Sequence, residues 1–345
     1  MTQPLRIAWG PIASEGAPYG YGTSGGELKR ARVGAGAAMV PLTSTDWHVA
    51  VGMGWPAAWI IGQNGPRRDF VWHTMFEATP FPRGWADVIN RSAGLWAPSQ
   101  WVAEQFVEAG VTVPVMVSGY GIDTNVFQPP AEDRAERDGP FKVIAWARGL
   151  VSRKNLLMAV KVFCAANLPD ATMEVKVNAD DEMTTDGMGV RGRDDVRFIK
   201  QDWNTHKLAA WLASADVMLY LSSGEGFGLM PLEAMACGTP VICAANTGML
   251  EYLTPHNSLM VPCPTLAPVT SLGRATDGER MGYQPDFDAA VAHLRWAYDN
   301  RRALNGIGYI AAQDAAAWTW AKAGQSALEG LQRISTDWRG ETWLA

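Results

Sequence analysis

Short apolar runs alternate with longer amphipathic segments along the chain, which predicts parallel strands covered by helices on both faces. A helix entered through glycines is predicted over residues 24–37. The strand-like runs of the first part are LRIAWG, WHVAVGM, WIIGQN, FVWHTMF, LWAPS and VPVMVSG, at residues 5–10, 47–53, 59–64, 70–76, 95–99 and 113–119. This part of the chain is therefore expected to form a doubly wound α/β sheet.

The same alternation restarts after a polar segment bracketed by prolines, PPAEDRAERDGP (129–140), which we interpret as a linker. Strands are then predicted at 141–147, 173–179, 196–201, 216–222, 240–245 and 258–263, and helices at about 154–166, at 205–214, from Leu229 and from Phe287 on. We predict a first domain at 1–135 and a second at 136–315. A helical segment at 316–345 follows, for which packing back on the first domain is one arrangement.

Composition is consistent with two well-packed domains. The 345 residues exceed one ordinary core, and 48% of them are hydrophobic while 19% are charged. No run of 18 apolar residues or signal-peptide pattern occurs, and the four cysteines lack CxxC spacing. We therefore expect a cytoplasmic protein without a transmembrane segment and with reduced thiols. The net charge of -6 argues against a general nucleic-acid coat.

The stretch SGEGFGL connects a predicted buried strand to a predicted helix, at the edge of a parallel sheet where ligands bind. Its glycines, Gly226 and Gly228, allow close approach of the backbone to a ligand. The N–H groups of residues 227–230 favour an anion such as a diphosphate. Glu225 and Glu233 can line one pocket and accept hydrogen bonds from paired hydroxyls. The alternative is that both are solvated acids at a helix start.

This stretch resembles the signature of the retaining glycosyltransferases of family 4, a GT-B group that uses nucleotide sugars. The pattern E-G-F-G-L, three variable residues and E-A-M-A-x-G-x-P-V is matched without departure from Glu225 to Val241. The resemblance implies a GT-B fold, two Rossmann-like domains facing a cleft. It implies that Glu233 holds the ribose hydroxyls and that Glu225 contacts the transferred sugar. It also implies a donor-binding backbone at Gly226, Phe227, Gly228 and Leu229.

Two cations, Arg148 and Lys154, follow the first strand of the second part in WARGLVSRKN and could neutralise a diphosphate leaving group. The resembled family has G-R-L-x-x-x-K-G here, and Ala147 and Asn155 replace its two glycines. Arg153 is an additional cation without an assigned role. The alternative is a solvated basic turn.

Three further features are interpreted through the resemblance. His73, in VWHTMFE, would lie beside the reacting sugar and bond the donor sugar or assist the acceptor, although a lone histidine is more often structural. The sequence GYGTSGGELKRA (20–31) resembles a glycine-rich loop before a helix, in which Gly25 and Gly26 close over the phosphate and acceptor side as a lid. In SGYGIDTNVFQP, Tyr120 stands where the family usually has Asn.

In the resembled family the nucleotide base rests against backbone at the position of VRFIKQ (196–201), which implies a base contact near Ile199. Backbone contacts leave little side-chain signature, so uridine, guanosine and adenosine cannot be distinguished. The acidic residues of NADDEM (178–183) are interpreted as a solvated loop, because the resembled enzymes need no divalent ion. The resemblance thus implies a retaining, metal-independent glycosyltransferase without a cofactor other than its nucleotide-sugar donor, UDP- or GDP-linked.

The acceptor stays open among a glycan, a small molecule, a protein and a hydroxymethylated DNA base. Three other functions remain possible: a nucleotide-sugar epimerase of the same fold, a carboxylate-pair glycosidase and a non-catalytic binder.

Overall fold

A computed structural model describes residues 4–12, 21–40, 48–54, 56, 67–130, 139–147, 152–179, 189–269 and 279–339. The chain divides into two compact units. The first comprises Met1–Gly121 and Trp318–Ala345, and the second comprises Ile122–Ala317. The division thus falls before the polar linker expected at 129–140, because the chain from Ile122 onward already clusters with the second unit. The predicted strand at 59–64 and the core of the linker (131–138) lie outside the described residues.

The first unit is built on a six-stranded parallel sheet, with spatial order β2-β1-β3-β4-β5-β6. Its central strands carry fully buried side chains such as Ile7, Val51, Trp72 and Leu95, as expected for a sheet covered on both faces. The strands are β1 (Arg6–Ile12), β2 (Ala38–Val40), β3 (Val49–Met53), β4 (Arg67–His73), β5 (Ser92–Ala97) and β6 (Val115–Val117). Helices α1 (Tyr21–Gly34), α2 (Trp85–Ile89) and α3 (Gln100–Glu108) accompany them.

The prediction of a glycine-rich loop over 20–31 is wrong for its described part, because helix α1 already begins at Tyr21 and contains both Gly25 and Gly26. Glycine is a poor helix former, by about 1 kcal/mol relative to alanine. Packing overrides this preference here. Leu28 and Arg32, one helical turn apart, are both fully buried.

The second unit repeats the architecture, with a six-stranded parallel sheet in the order β12-β11-β10-β7-β8-β9. Its strands are β7 (Phe141–Trp146), β8 (Ala171–Val177), β9 (Val196–Lys200), β10 (Val217–Tyr220), β11 (Val241–Ala244) and β12 (Leu259–Val261). Its helices are α4 (Leu156–Ala166), α5 (Thr205–Ala213), α6 (Leu229–Ala236), α7 (Phe287–Asp299) and α8 (Arg301–Ala315). Asn204 and Asp286 cap α5 and α7 by accepting backbone N–H bonds.

A two-stranded antiparallel hairpin, which the sequence analysis did not predict, follows β12. Its strands are β13 (Thr265–Pro268) and β14 (Met281–Gln284). Two short 3-10 turns also belong to this unit, Ser152–Lys154 before α4 and Thr247–Glu251 after β11. Both turns and the hairpin lie close to the candidate site described below.

The last helix, α9 (Trp320–Arg339), belongs to the first unit, although it follows the second in sequence. Small residues allow it to approach closely. A side chain at Gly324 would lie 2.6 Å from Ala31 Cβ on α1, and one at Gly330 would lie 2.6 Å from Met116 Cε on β6. The hydroxyl of Ser118 also donates to the α9 carbonyl of Ala323 at 3.1 Å.

Candidate functional site

The turn between β10 and α6 carries Glu225, and glycines shape it. Gly228 precedes α6 with φ of 88°, a conformation that favours glycine. A side chain there would also lie 2.7 Å from Met249 Cγ. The hydroxyl of Tyr252 donates to the Gly228 carbonyl at 2.5 Å. The turn is thus held against the 3-10 turn that follows β11, and Gly228 is required by packing as well as by any approach of a ligand.

The carboxylate of Glu225 lies in a nest of donors and is only 7% exposed. Its Oε1 accepts hydrogen bonds from Lys154 Nζ at 2.5 Å, from Ser222 Oγ at 2.7 Å and from Tyr220 O–H at 2.8 Å. Arg153 Nη1 is a further 3.3 Å away. Oε2 has no hydrogen-bond partner within the described part of the chain. One oxygen of Glu225 is therefore used by the protein and the other is available.

This environment keeps Glu225 ionised. Burial alone raises the pKa of a carboxyl, but the charges of Lys154 and Arg153 and the bonds from Lys154 and Ser222 outweigh it and lower the pKa to about 2. At neutral pH Glu225 is a carboxylate paired with two cations. It therefore has no proton to give.

Arg153, which the sequence analysis left without a role, is one of the buried charges of this cluster. Its side chain is 2% exposed, and its Nη1 donates to the carbonyl of Gly224. Its own carbonyl accepts the N–H of Ser223 at 2.7 Å. Lys154 is bound to Glu225 rather than open to solvent, and Arg148, the other predicted phosphate ligand, lies outside the described residues. A signal for Arg153 existed in the sequence, since it directly precedes Lys154.

Glu233 contrasts with Glu225. It lies within α6 and is half-buried, and its carboxyl forms no hydrogen bond or ion pair with any other described residue. Burial raises its pKa to about 8. An unpaired, partly buried carboxyl that loses its water without gaining a partner is costly. Such a group is satisfied when a ligand supplies hydroxyl or N–H groups.

The other predicted donor-binding residues of the turn serve packing through their side chains or close contacts. Phe227 is 1% exposed, and its ring centroid is 5.7 Å from that of Tyr252. The Gly226 carbonyl is in tight contact with Gly248. Leu229 is the first residue of α6, whose opening N–H groups have no acceptor within the helix. Only the backbone of this segment is therefore suited to bind an anion.

A cluster of aromatic rings and cations lies at the carboxyl edge of the same sheet. The Lys176 ammonium on β8 is 5.2 Å from the ring centroids of both Trp146 and Trp203, and the Lys207 ammonium is 4.8 Å from that of Trp203. Ile199, the predicted base contact on β9, is opposite Lys176 in register and is 7% exposed. Trp203 is half-buried, so this cluster presents an aromatic face that a planar ligand could contact.

In the first unit, His73 ends β4 and is fully buried. Its Nδ1–H donates to the Trp96 carbonyl at 3.0 Å, and its Nε2 accepts from the Tyr120 hydroxyl at 3.0 Å. Burial lowers the pKa of His73 to about 3; the Trp96 carbonyl opposes this, and the Arg32 charge adds to it. The Arg32 guanidinium lies 4.2 Å from the Trp96 ring centroid. His73 is thus a neutral imidazole with both nitrogens engaged.

The described residues were also compared with what a metal site and a membrane-spanning helix require. Within the described ranges, no three His, Cys, Asp or Glu side chains gather closely enough to hold a metal ion. Of NADDEM, residues 180–183 lie outside those ranges. Among the helices that the structure describes, none combines the length and the apolar character needed to cross a bilayer.

The second unit also matches a known family. Residues 138–265 match the family described as glycosyl transferases group 1. These residues form a glycosyl transferases group 1 domain. The domain contains Lys154, Glu225 and Glu233, so the match covers the described cluster, and it ends at the first residue of the β13–β14 hairpin.

Curated relatives that match the chain are described as glycosyltransferases. The chain is 26% identical over 220 residues to a D-inositol 3-phosphate glycosyltransferase of Arthrobacter sp. (strain FB24), an alignment that covers 61% of this chain and 48% of the relative. The chain spans about half the length of the curated relatives it matches.

Among solved structures, a sucrose-phosphate synthase from Thermosynechococcus elongatus has a TM-score of 0.71 at 15% identity, covering 93% of this chain and 96% of the other. Anabaena HepE in complex with UDP-glucose has a TM-score of 0.68 at 16% identity, covering 95% and 100%. The predicted α/β class and GT-B fold are confirmed.

Proposed function

We propose that the protein is a glycosyltransferase that moves a sugar from a nucleotide-diphosphate donor to a hydroxyl acceptor, with retention at the anomeric carbon and without an obligatory metal. The observation that carries the proposal is the pair of contrasting carboxyls within a glycosyl transferases group 1 domain. Glu225 is ionised and paired with cations, whereas Glu233 is half-buried and its carboxyl has no hydrogen bond or ion pair with another described residue. A nucleotide sugar offers matching groups, sugar hydroxyls and a diphosphate.

Lys154 supplies positive charge to the leaving diphosphate. An ammonium has three N–H donors, and Glu225 Oε1 takes one of them at 2.5 Å. The Tyr220 hydroxyl oxygen lies 3.5 Å from the same ammonium, so Lys154 acts on the diphosphate as a positive charge that the protein holds in place. Charge that develops on the diphosphate as the bond to the anomeric carbon breaks is stabilised by such a fixed cation and by the opening amides of α6.

Glu225 also supports the transferred sugar through its second oxygen. Oε2 accepts no bond from a described residue, and a sugar hydroxyl can donate to it. The acceptor oxygen attacks the anomeric carbon on the face from which the diphosphate leaves. Its proton passes to a diphosphate oxygen. Glu225 does not take this proton, because its cations lower its pKa to about 2 and make it a weak base.

Glu233 binds the ribose of the donor, and the aromatic cluster of Trp146, Lys176 and Trp203 lies at the same sheet edge, where a base can stack. Two hydroxyls of a ribose satisfy the two oxygens of one carboxyl. The pKa of Glu233, raised to about 8 without ligand, falls when hydroxyls donate to it. Nucleotide binding therefore releases a proton near neutral pH.

The first acceptor to test is a small phosphorylated polyol, because several relatives are described as D-inositol 3-phosphate glycosyltransferases. The experiment begins with thermal shifts by UDP, GDP, ADP and TDP, each with magnesium and with EDTA. The stabilising nucleotide names the donor class, which is then incubated with inositol 3-phosphate and free inositol. Proton NMR of the product reports the anomeric configuration.

A retained product formed in EDTA supports the proposal. An epimerised donor without any acceptor would indicate an epimerase instead. If no nucleotide shifts the melting temperature and no donor turns over, the proposal is wrong.

A further inference from the structure

We propose that the β13–β14 hairpin is a positioning element for the Glu225 cluster and that it acts through Ser223. The hairpin lies outside the family match except for its first residue. The catalytic part of this inference rests on the proposed transferase function, but the structural part does not.

Strand β14 contacts Ser223 at three successive residues. The Tyr283 N–H donates to the Ser223 carbonyl at 2.8 Å, and Gln284 Nε2 donates to Ser223 Oγ at 3.2 Å. Gly282 packs directly against the same residue, since a side chain there would lie 2.8 Å from Ser223 Cβ and 3.2 Å from its carbonyl oxygen. The outer edge of the hairpin thus pairs with the turn that leads to Glu225.

Ser223 also bonds to the segment that carries the two cations. Its N–H donates to the Arg153 carbonyl at 2.7 Å, and its Oγ accepts from Asn155 Nδ2 at 2.7 Å. Arg153 and Asn155 flank Lys154 in the chain. One serine therefore joins the hairpin, the 3-10 turn that carries both cations, and the turn that carries Glu225.

The Glu225 turn needs such support because residues 221–228 belong to no strand or helix. On its other side, Asn246 Nδ2 donates to the Ser222 carbonyl at 2.9 Å, and Thr247 Oγ1 accepts the Glu225 N–H at 2.8 Å. The hairpin adds its bonds to Ser223, the residue between Ser222 and Gly224 of the same turn. A misplacement of about 1 Å in a catalytic group can cost a factor of about 100 in rate, so a clamp on this turn affects turnover.

The test compares two hairpin variants with a matched control. Gln284→Met keeps the length of the side chain and removes the bond to Ser223. Gly282→Ala forces β14 away from Ser223. The control is Leu266→Ala, at the β13 position that pairs with Tyr283, where the side chain is 45% exposed. Each variant is examined by hydrogen exchange and mass spectrometry over peptides covering 221–228, and by steady-state kinetics with the donor found above.

We expect Gln284→Met to accelerate exchange in 221–228 and to lower kcat about fivefold, the factor that one ordinary hydrogen bond provides. The donor KM should change by less than about twofold, since the lost bond holds a catalytic group rather than the nucleotide. Gly282→Ala should produce a larger change of the same kind. Leu266→Ala should leave both measurements unchanged.

The outcomes separate this inference from the proposed function. Unchanged exchange in 221–228 for Gln284→Met overturns the positioning role, whether or not kcat falls. Faster exchange in Gln284→Met than in wild type, together with a wild-type protein that turns over no nucleotide sugar, supports the clamp and refutes the transferase. If Gly282→Ala unfolds the second unit, the result for Gln284→Met alone tests the positioning role of the hairpin. A fall in kcat/KM that comes only from KM would contradict the role assigned to Ser223.

Discussion

Replacing Glu225 by Gln tests the charge cluster through the pH dependence of stability. The folded-state pKa of Glu225 is about 2, against an ordinary value of 4.5. Because this pKa is lowered, ionisation of Glu225 stabilises the folded protein above pH 4.5. That stabilisation is lost as the pH falls through 4.5 toward 2. A difference of 2.5 pKa units corresponds to about 3 kcal/mol of unfolding free energy at pH 7.

Gln at position 225 resembles the protonated carboxyl in shape and charge, and its amide does not titrate, so it adds no pH dependence to the unfolding free energy. We therefore expect Glu225→Gln to be about 3 kcal/mol less stable than wild type at pH 7 and about as much so at pH 5. The difference should shrink to about 2 kcal/mol at pH 3.5, since titration is then partly complete. Urea unfolding followed by circular dichroism at these three pH values measures it. Glu279→Gln, which replaces an exposed carboxylate of the same unit, is the control.

The reasoning is refuted if the difference between wild type and Glu225→Gln is constant from pH 7 to pH 3.5. It is also refuted if Glu279→Gln shows the same pH dependence. A constant loss would mean that Glu225 contributes through shape or hydrogen bonding alone. Its pairing with Lys154 and Arg153 would then not lower its pKa.

Four other substitutions test the remaining features. Lys154→Ala should lower sugar transfer at least tenfold while nucleotide-induced melting shifts persist, because it removes the cation nearest Glu225. Glu233→Gln should melt at least about 4 °C higher than wild type at pH 9 and equally at pH 4, since the raised pKa of Glu233 makes its ionisation destabilising as pH rises from 4.5 through about 8. Gly228→Ala should cost about 2 kcal/mol or more in urea unfolding, from its φ of 88° and the contact with Met249. Tyr120→Phe should cost about 1–3 kcal/mol, because it leaves the buried Nε2 of a histidine without a donor.

Each of these has a result that contradicts it. Full transfer activity in Lys154→Ala removes the cation from the mechanism. A melting gain of Glu233→Gln that is independent of pH would mean that the gain is not linked to ionisation. A neutral effect at Gly228 would contradict its tight packing, and a neutral effect at Tyr120 would contradict the contribution of its hydrogen bond to His73.

The sequence predicted those parts of the fold and site that depend on local pattern. The turn of Glu225 was found because strand, glycines and helix follow one another within a few residues, and α6 begins at Leu229 as expected. A helix was predicted over 24–37, but α1 begins at Tyr21 and the lid expected at Gly25 and Gly26 is helical, because burial of Leu28 decides it and burial is not local.

Contacts between distant residues could not be predicted. The bond from Tyr120 to His73 joins residues 47 apart in the chain, and no motif relates them. The β13–β14 hairpin was missed because its strands have four residues each and contain Pro268 and Gly282, which are unfavourable in strands. Arg153 was left without a role although it directly precedes Lys154, because its contacts with Gly224 and Glu225 join residues about 70 positions apart in the chain.

The return of α9 to the first unit has a consequence for biosynthesis. Residues 1–121 emerge from the ribosome early. At that stage Gly94 on β5 lacks the Ile334 side chain that packs against it, and Gly121 lacks the backbone of Thr319 and Trp320. The second unit, continuous from 122 to 317, is available for folding first. The first unit reaches its final packing only when translation has passed α9, so its β5 must wait until residues 320–339 have been made. A stop codon that removes α9 should therefore leave the second unit folded and the first unit aggregation-prone.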